Sequence, residues 1–229
     1  MSDVLYEKLQ SGIKFLKNRG YLDEELPKSI TDNVKQPLRD YQKTALENFV
    51  FYYEDKEYSK IENKHLLFHM ATGSGKTNII ASTILYLYEK GYRDFIFFVN
   101  TTNIITKTKD NIINKYSAKY LFQEKIIINN QEININEITD TFDVSKKDDI
   151  NVMFTTTHKL HGDLETTIKE NSITYADFEK KKIVLIADEA HHLNSELKKN
   201  KNKEDEENLK SWGMTTKRLL KTHKENLLL

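Results

Sequence analysis

The segment 70–77 (MATGSGKT) constrains the fold of this 229-residue chain more than any other stretch. A short apolar run precedes it, and a run with helical spacing begins at Lys76. Gly73 and Gly75 allow backbone N–H groups to converge without interference from a Cβ atom, and the following helix adds a partial positive charge. A strand, a glycine-rich loop and a helix in this order form a phosphate-binding loop, which predicts an α/β fold.

The polar side chains of this loop have predicted roles in binding a nucleoside triphosphate. The Lys76 ammonium would contact the β- and γ-phosphates, and the Thr77 hydroxyl would ligate Mg²⁺. Met70 stands where the strict G-x-x-x-x-G-K-[ST] pattern has its first glycine, and the alternative is a glycine-rich turn that binds no nucleotide. The predicted nucleotide contacts are Thr72, Gly73, Ser74, Gly75, Lys76 and Thr77.

A second motif, residues 183–191 (IVLIADEAH), supplies two carboxylates. Its apolar run predicts a buried strand that ends just before Asp188 and Glu189. Ligands bind at the C-terminal ends of strands in open α/β sheets. Asp188 is therefore a candidate ligand of Mg²⁺, and Glu189 is a candidate to orient or deprotonate the attacking water. Alone, such a strand end would also fit a surface turn, so the assignment depends on both motifs together.

A third block, residues 36–50 (QPLRDYQKTALENFV), lies within a predicted N-terminal helical segment, 1–62. Arg39 and Gln42 are three residues apart on the first turn of a helix, so both can face one ligand. A glutamine side chain can pair with the donor and acceptor edges of adenine, which would select ATP over GTP. The alternative is an ordinary surface arginine and glutamine on an amphipathic helix.

Short apolar strands alternate with helices in the rest of the chain. This rhythm predicts a mostly parallel sheet flanked by helices. Residues 125–138 (KIIINNQEININEI) interrupt it and are predicted to form an inserted β-hairpin that turns at Asn129 and Asn130. We predict helices at 38–51 (beginning after Pro37), 76–90 and 103–116, and strands at 65–70, 95–100, 151–155 and 183–187.

Composition limits the classes of function. With 35 basic and 35 acidic residues the formal charge is +0, so any contact with nucleic acid must be local. The absence of cysteine excludes disulfides and cysteine-ligated metal sites within these residues. The sequence has no apolar run of about 18 residues and no N-terminal signal peptide. A cytoplasmic protein without a membrane partner is therefore expected, and the charge run 200–207 is predicted to be a solvated loop.

The three blocks together resemble superfamily 2 helicases of the DEAD/DEAH type. R-D-Y-Q at 39–42 resembles the glutamine motif, MATGSGKT resembles motif I, and ADEAHH at 187–192 resembles motif II. Within this superfamily, the chain resembles the helicase (Res) subunit of type III restriction endonucleases. That resemblance depends on 97–105 (FFVNTTNII) as motif Ia and on 154–164 (FTTTHKLHGDL) as motif Ib.

The resemblance implies a P-loop NTPase fold of the RecA type and an ATP-dependent, Mg²⁺-dependent DNA translocase. Its partners would be double-stranded DNA and a methyltransferase or specificity subunit. His191 would couple the ATP site to the nucleic-acid site. Four threonines would contact nucleic-acid phosphates, although they could equally cap the helices that follow them; they are Thr101, Thr102, Thr156 and Thr157.

The resemblance also predicts the domain organisation. Residues 63–229 would be the first RecA-like domain, ending before motif III, with the second RecA-like domain and the nuclease outside this sequence. Such a fragment would hydrolyse ATP weakly or not at all. Two other functions stay open: another DNA or RNA helicase of superfamily 2, and a nucleotide-binding interaction module without turnover.

Overall fold

The computed structural model of the chain describes residues 4–22, 25–99, 102–165, 173–188 and 213–229. The chain divides into two compact units, each assembled from several segments. The first unit contains Met1–Glu62, Phe68–Glu89 and Leu121–Glu132. The second unit contains Asn63–Leu67, Lys90–Tyr120 and Ile133–Leu229.

The first unit is mainly helical. Its helices are α1 (Leu5–Asn18), α2 (Lys28–Thr31), α3 (Asp40–Glu54) and α4 (Lys76–Glu89), with a 3₁₀ turn at Tyr58–Lys60. Gly20 ends α1 with a φ of 69°, and the Tyr21 N–H returns to the Leu16 carbonyl at 3.0 Å. Helix α4 is buried along most of its length and packs with α2 and α3.

The start of α3 differs from the prediction. The helix begins at Asp40, so Pro37 lies outside it. Gln42 explains the difference, because its Oε1 accepts a hydrogen bond from the Arg39 backbone N–H at 2.9 Å. A side chain from inside the helix therefore satisfies an N–H at its N-terminus and fixes the first turn there.

The hairpin of the first unit pairs β3 (Ile126–Ile128) with β4 (Gln131–Ile133). Asn129 and Asn130 have φ values of 53° and 62°, the left-handed pair typical of a two-residue hairpin turn. The predicted hairpin is therefore confirmed at this turn. Its predicted extension to residue 138 is wrong, because Ile135–Ile138 form a strand of the main sheet.

Asn33 fixes this hairpin to the helical part of the first unit. The Asn33 side chain is 1% exposed. Its Nδ2 donates to the carbonyls of Ser29 and Ile127, both at 3.0 Å, and its Oδ1 accepts the Ile127 N–H at 2.7 Å. A single buried carboxamide thus satisfies both backbone groups of Ile127.

The second unit contains a six-stranded sheet in the order β1-β8-β7-β2-β6-β5. All of its strand pairs are parallel, and helices accompany the sheet, so the predicted α/β class is confirmed. Strand β2 lies between β6 and β7, and all of its residues are buried. The strands are β1 (Lys64–His65), β2 (Asp94–Val99), β5 (Ile135–Ile138), β6 (Ile150–Thr156), β7 (Ile183–Ala187) and β8 (Leu227–Leu228).

Strand β1 is shorter than predicted. Only Lys64 and His65 form a ladder, and they pair with Leu227 and Leu228 of β8. The Leu66 N–H continues the pattern by donating to the Leu228 carbonyl at 2.9 Å. The residues after it have no strand partner in the described part of the chain, so apolar character alone does not extend the strand.

Helices of the second unit cover the sheet around a common apolar core. They are α5 (Thr102–Ile113), α6 (Thr157–Glu165), α7 (Ala176–Glu179) and the helical residues 213–221, here α8, with a 3₁₀ turn at Phe142–Val144. The core combines side chains from strands β2 and β7, from α7 and from α8, and it includes Phe98, Phe142, Phe178, Leu185 and Leu219.

Asp94, at the start of β2, is a buried carboxylate with polar neighbours. It accepts a hydrogen bond from the Ser145 hydroxyl at 2.7 Å and lies 3.7 Å from the Lys181 ammonium. Burial raises the pKa of Asp94, while Ser145 and Lys181 oppose that shift in part. The folded chain therefore favours the protonated form of this side chain more than the unfolded chain does.

Candidate nucleotide-binding site

The phosphate loop has the backbone shape that its glycines predict. Gly73 and Gly75 have φ values of 76° and 80°, in the left-handed region that favours glycine. The Ser74 N–H and hydroxyl both donate to the Ala71 carbonyl, at 3.2 and 2.6 Å. Helix α4 begins directly after the loop, at Lys76, so its unpaired N-terminal N–H groups lie next to the loop. The residues present therefore fit a bound phosphate group.

Lys76 and Thr77 are half-buried on the first turn of α4. Within the described part of the chain, neither the Lys76 ammonium nor the Thr77 hydroxyl has a hydrogen-bond or ion-pair partner. The two side chains are available for an anion and a cation respectively, in the roles that the sequence predicts for them.

Gln42 contacts the phosphate loop with its carboxamide. Its Nε2 donates to the carbonyls of Ser74 and Gly75 at 3.0 and 3.1 Å, and its side chain is 1% exposed. A Cβ atom on Gly75 would lie 2.6 Å from this nitrogen, so glycine is needed there for space as well as for φ. The predicted adenine-reading role of Gln42 remains a proposal, since both of its N–H groups are directed at the loop in this structure.

Tyr41, which is not among the residues predicted from the sequence, also contacts the loop. Its hydroxyl donates to the Ser74 carbonyl at 2.7 Å and accepts a hydrogen bond from Arg39 Nη1 at 2.9 Å. Arg39, predicted as a nucleotide contact, therefore reaches the loop through Tyr41. Helical spacing does not predict this contact, because residues one and two apart on a helix do not face each other.

Asp188 directly follows β7 in the second unit. Strands β2 and β8 pair with β7 on its two sides, which fixes the point at which it ends. The Asp188 side chain is half-buried. The structure thus places one predicted carboxylate at the C-terminal end of a central strand, where the sequence predicted it. Glu189 and His191 lie outside the described residues.

Of the predicted nucleic-acid contacts, only Thr156 has a described side chain. It is the last residue of β6, and its Oγ1 accepts the Lys159 N–H at 3.2 Å. This bond caps the first turn of α6, which is the alternative role considered for these threonines. Thr101 and the side chains of Thr102 and Thr157 lie outside the described residues, and the nucleic-acid role stays a prediction.

No group of three or more His, Cys, Asp or Glu side chains in the described part of the chain could hold a metal ion. No helix among the described residues is long and apolar enough to cross a membrane.

Comparison with known proteins defines the class to which this fold and loop belong. The family model "Type III restriction enzyme, res subunit" matches residues 35–229, and the chain belongs to that family. A Haemophilus influenzae protein named probable type III restriction-modification enzyme HindVIP Res subunit is 43% identical over 178 residues. The match covers 76% of this chain and 34% of that relative, so the chain spans about a third of the relative's length.

Proposed function

We propose that this chain is the ATP-binding part of a DNA-dependent ATPase and translocase, the restriction subunit of a type III restriction-modification enzyme. The observation that carries the proposal is the phosphate loop itself. Its two glycines have positive φ, Gln42 contacts its backbone, and Lys76 and Thr77 begin the following helix. Family membership supports the same function.

The residues of the proposed site have separate roles. The loop N–H groups and the Lys76 ammonium bind the phosphates and stabilise the charge that moves toward the leaving group. Thr77 and Asp188 would each be a ligand of Mg²⁺, which would supply charge to neutralise the phosphates. Glu189 orients the attacking water and accepts its proton, and Arg39 and Gln42 select adenine.

The proposed partners follow from the family. Thr101, Thr102, Thr156 and Thr157 would contact the backbone of double-stranded DNA, and His191 would couple that contact to the ATP site. A methyltransferase or specificity subunit would supply sequence recognition. In the whole enzyme, a second RecA-like domain would complete the ATP site and a nuclease would cut the DNA.

Binding is the first test, and this chain suffices for it. The chain should bind ATP in the presence of Mg²⁺, and Lys76→Ala should weaken that binding at least about tenfold, because it removes the charge that faces the phosphates. Lys8→Ala is the matched control, since Lys8 is an exposed lysine on α1. If the unmutated chain binds neither ATP nor ADP, the proposed function is wrong.

Hydrolysis is the second test, and it uses a protein that also carries a second RecA-like domain. Phosphate release should be stimulated by duplex DNA and should fall at least about tenfold in Lys76→Ala and in Glu189→Gln. Unchanged rates in both variants would refute the catalytic roles. Stimulation by single-stranded RNA alone would indicate another superfamily 2 helicase. ATP binding without turnover would indicate an interaction module.

A further inference from the structure

Two neighbouring side chains of α3 converge on one carbonyl of the phosphate loop. The Tyr41 hydroxyl and Gln42 Nε2 both donate to the Ser74 oxygen, at 2.7 and 3.0 Å. Gln42 Nε2 also donates to the Gly75 oxygen at 3.1 Å, and the Asn78 N–H donates to the same oxygen at 3.0 Å. These hydrogen bonds to the carbonyls fix the orientation of two peptide groups, the one between Ser74 and Gly75 and the one between Gly75 and Lys76.

Holding a carbonyl also aims the N–H of the same peptide group. The described part of the chain has no cis peptide bond, and in a trans peptide the C=O and N–H point in opposite directions. A Ser74 carbonyl turned toward α3 directs the Gly75 N–H away from α3. The same relation joins the Gly75 carbonyl to the Lys76 N–H. These are N–H groups to which the proposed function assigns the phosphates.

We propose that Tyr41 is a positioning residue for phosphate binding: through the Ser74 carbonyl, its hydroxyl sets the direction of the Gly75 N–H. The inference rests on the proposed function and adds a residue to it. Tyr41 does not duplicate Gln42, because Gln42 divides its Nε2 between two carbonyls and is also the proposed reader of adenine. If Gln42 turned toward a base, Tyr41 would still hold Ser74.

Arg39 supports this role of Tyr41. Its Nη1 donates to the Tyr41 hydroxyl at 2.9 Å, so the hydroxyl accepts one hydrogen bond and donates another. A hydroxyl that accepts a bond from a charged donor is a stronger donor itself, because hydrogen bonds in a chain polarise one another. The bond from the guanidinium also restrains the Tyr41 side chain next to Ser74. This restraint matters because Tyr41 is 46% exposed.

The test is Tyr41→Phe, which removes only the hydroxyl. Affinities of this chain for ADP, pyrophosphate and adenosine are measured by isothermal titration or, for weak binding, by NMR titration. The variant should bind ADP and pyrophosphate about two- to tenfold more weakly, the range expected for one hydrogen bond, and adenosine equally well. Tyr21→Phe is the matched control, because Tyr21 is a 74% exposed tyrosine of the same unit and should change none of the three affinities.

The possible results separate this inference from the proposed function. Weaker binding confined to the two phosphate-bearing ligands supports the positioning role. The inference is overturned if Tyr41→Phe weakens the binding of all three ligands equally, or if its affinities for ADP and pyrophosphate are unchanged. Neither result contradicts the proposed function, because the unmutated chain still binds nucleotide. Failure of the unmutated chain to bind ADP or pyrophosphate overturns the proposed function and the inference together.

Discussion

Gln42 and Gly75 are in such close contact that a Cβ atom at position 75 would lie 2.6 Å from Gln42 Nε2. Side-chain atoms do not approach a Cβ so closely, so the carboxamide occupies the space that any other residue at position 75 would need. The contact links the first turn of α3 to the loop that we propose binds phosphate.

Gly75→Ala should be more destabilising than Gly73→Ala. Both glycines have a similar positive φ, which costs an alanine about 1–2 kcal/mol, but a Cβ on Gly73 meets no atom within 4 Å. Only Gly75→Ala must also displace Gln42. In a Gln42→Ala background the two glycine variants should therefore cost the same free energy of unfolding, measured by urea denaturation. If Gln42→Ala reduced the cost of both glycine variants by the same free energy, this explanation would be contradicted.

Gln42→Ala should narrow the preference of the chain for ATP over GTP. The carboxamide can satisfy the donor and acceptor of adenine, and alanine cannot. The measurement is the ratio of the dissociation constants for the two nucleotides, which also corrects for any general weakening of the loop. Tyr41→Phe serves as the control and should leave this ratio unchanged. Equal affinities for ATP and GTP in the unmutated chain would refute the adenine-reading role.

Asn33→Ala should lower the free energy of unfolding by about 1–3 kcal/mol, because it removes the buried carboxamide that bonds both the N–H and the C=O of Ile127. Urea denaturation measures this loss. Asn18→Ala is the matched control, because Asn18 is exposed on α1 and alanine is a good helix former. The free energy of unfolding of this control variant should stay the same or rise slightly. A loss in Asn33→Ala no larger than in this control would show that the hairpin does not depend on Asn33.

Asp94 should make the stability of the chain depend on pH in an unusual direction. Its pKa is higher in the folded chain than in the unfolded chain, where it is about 4. The unfolded chain therefore releases this proton first, and the free energy of unfolding falls as pH rises from about 4 through the folded pKa. Asp94→Asn lacks this contribution, so the variant should gain stability relative to the unmutated chain over that interval, as measured by thermal unfolding.

Asp110 provides a control of opposite sign. Hydrogen bonds from Ser117, and to a smaller extent Asn114, lower the pKa of this exposed carboxylate. Its contribution is present above the unfolded pKa and is lost as pH falls, so Asp110→Asn should lose stability relative to the unmutated chain as pH rises. If Asp94→Asn also loses stability relative to the unmutated chain as pH rises, folding does not raise the pKa of Asp94.

Elements whose evidence is local were predictable from the sequence. The phosphate loop, the start of α4 and strand β7 each depend on a short run of residue types, and the structure has them where the sequence predicts. The left-handed turn at Asn129 and Asn130 belongs to the same class, since asparagine tolerates this conformation better than most residues.

Elements that depend on distant partners were not predictable in this way. Strand β5 alternates like the hairpin that precedes it, and only its pairing with β6 assigns it to the main sheet. Residues 66–70 read as a strand but have no ladder, because a strand needs a neighbour as well as a suitable sequence. The role of Tyr41 was hidden for the same reason, since its hydrogen-bond acceptor, Ser74, is 33 residues away in the chain.

The pairing of β1 with β8 also has a consequence for synthesis on the ribosome. Lys64 has its strand partner at Leu227, so β1 leaves the exit tunnel long before β8 exists. At about 5–20 residues per second, this delay is on the order of ten seconds or more. Strands β2, β6 and β7 can associate in the meantime, whereas β1, which precedes the phosphate loop, can join the sheet only after Leu228 has been translated.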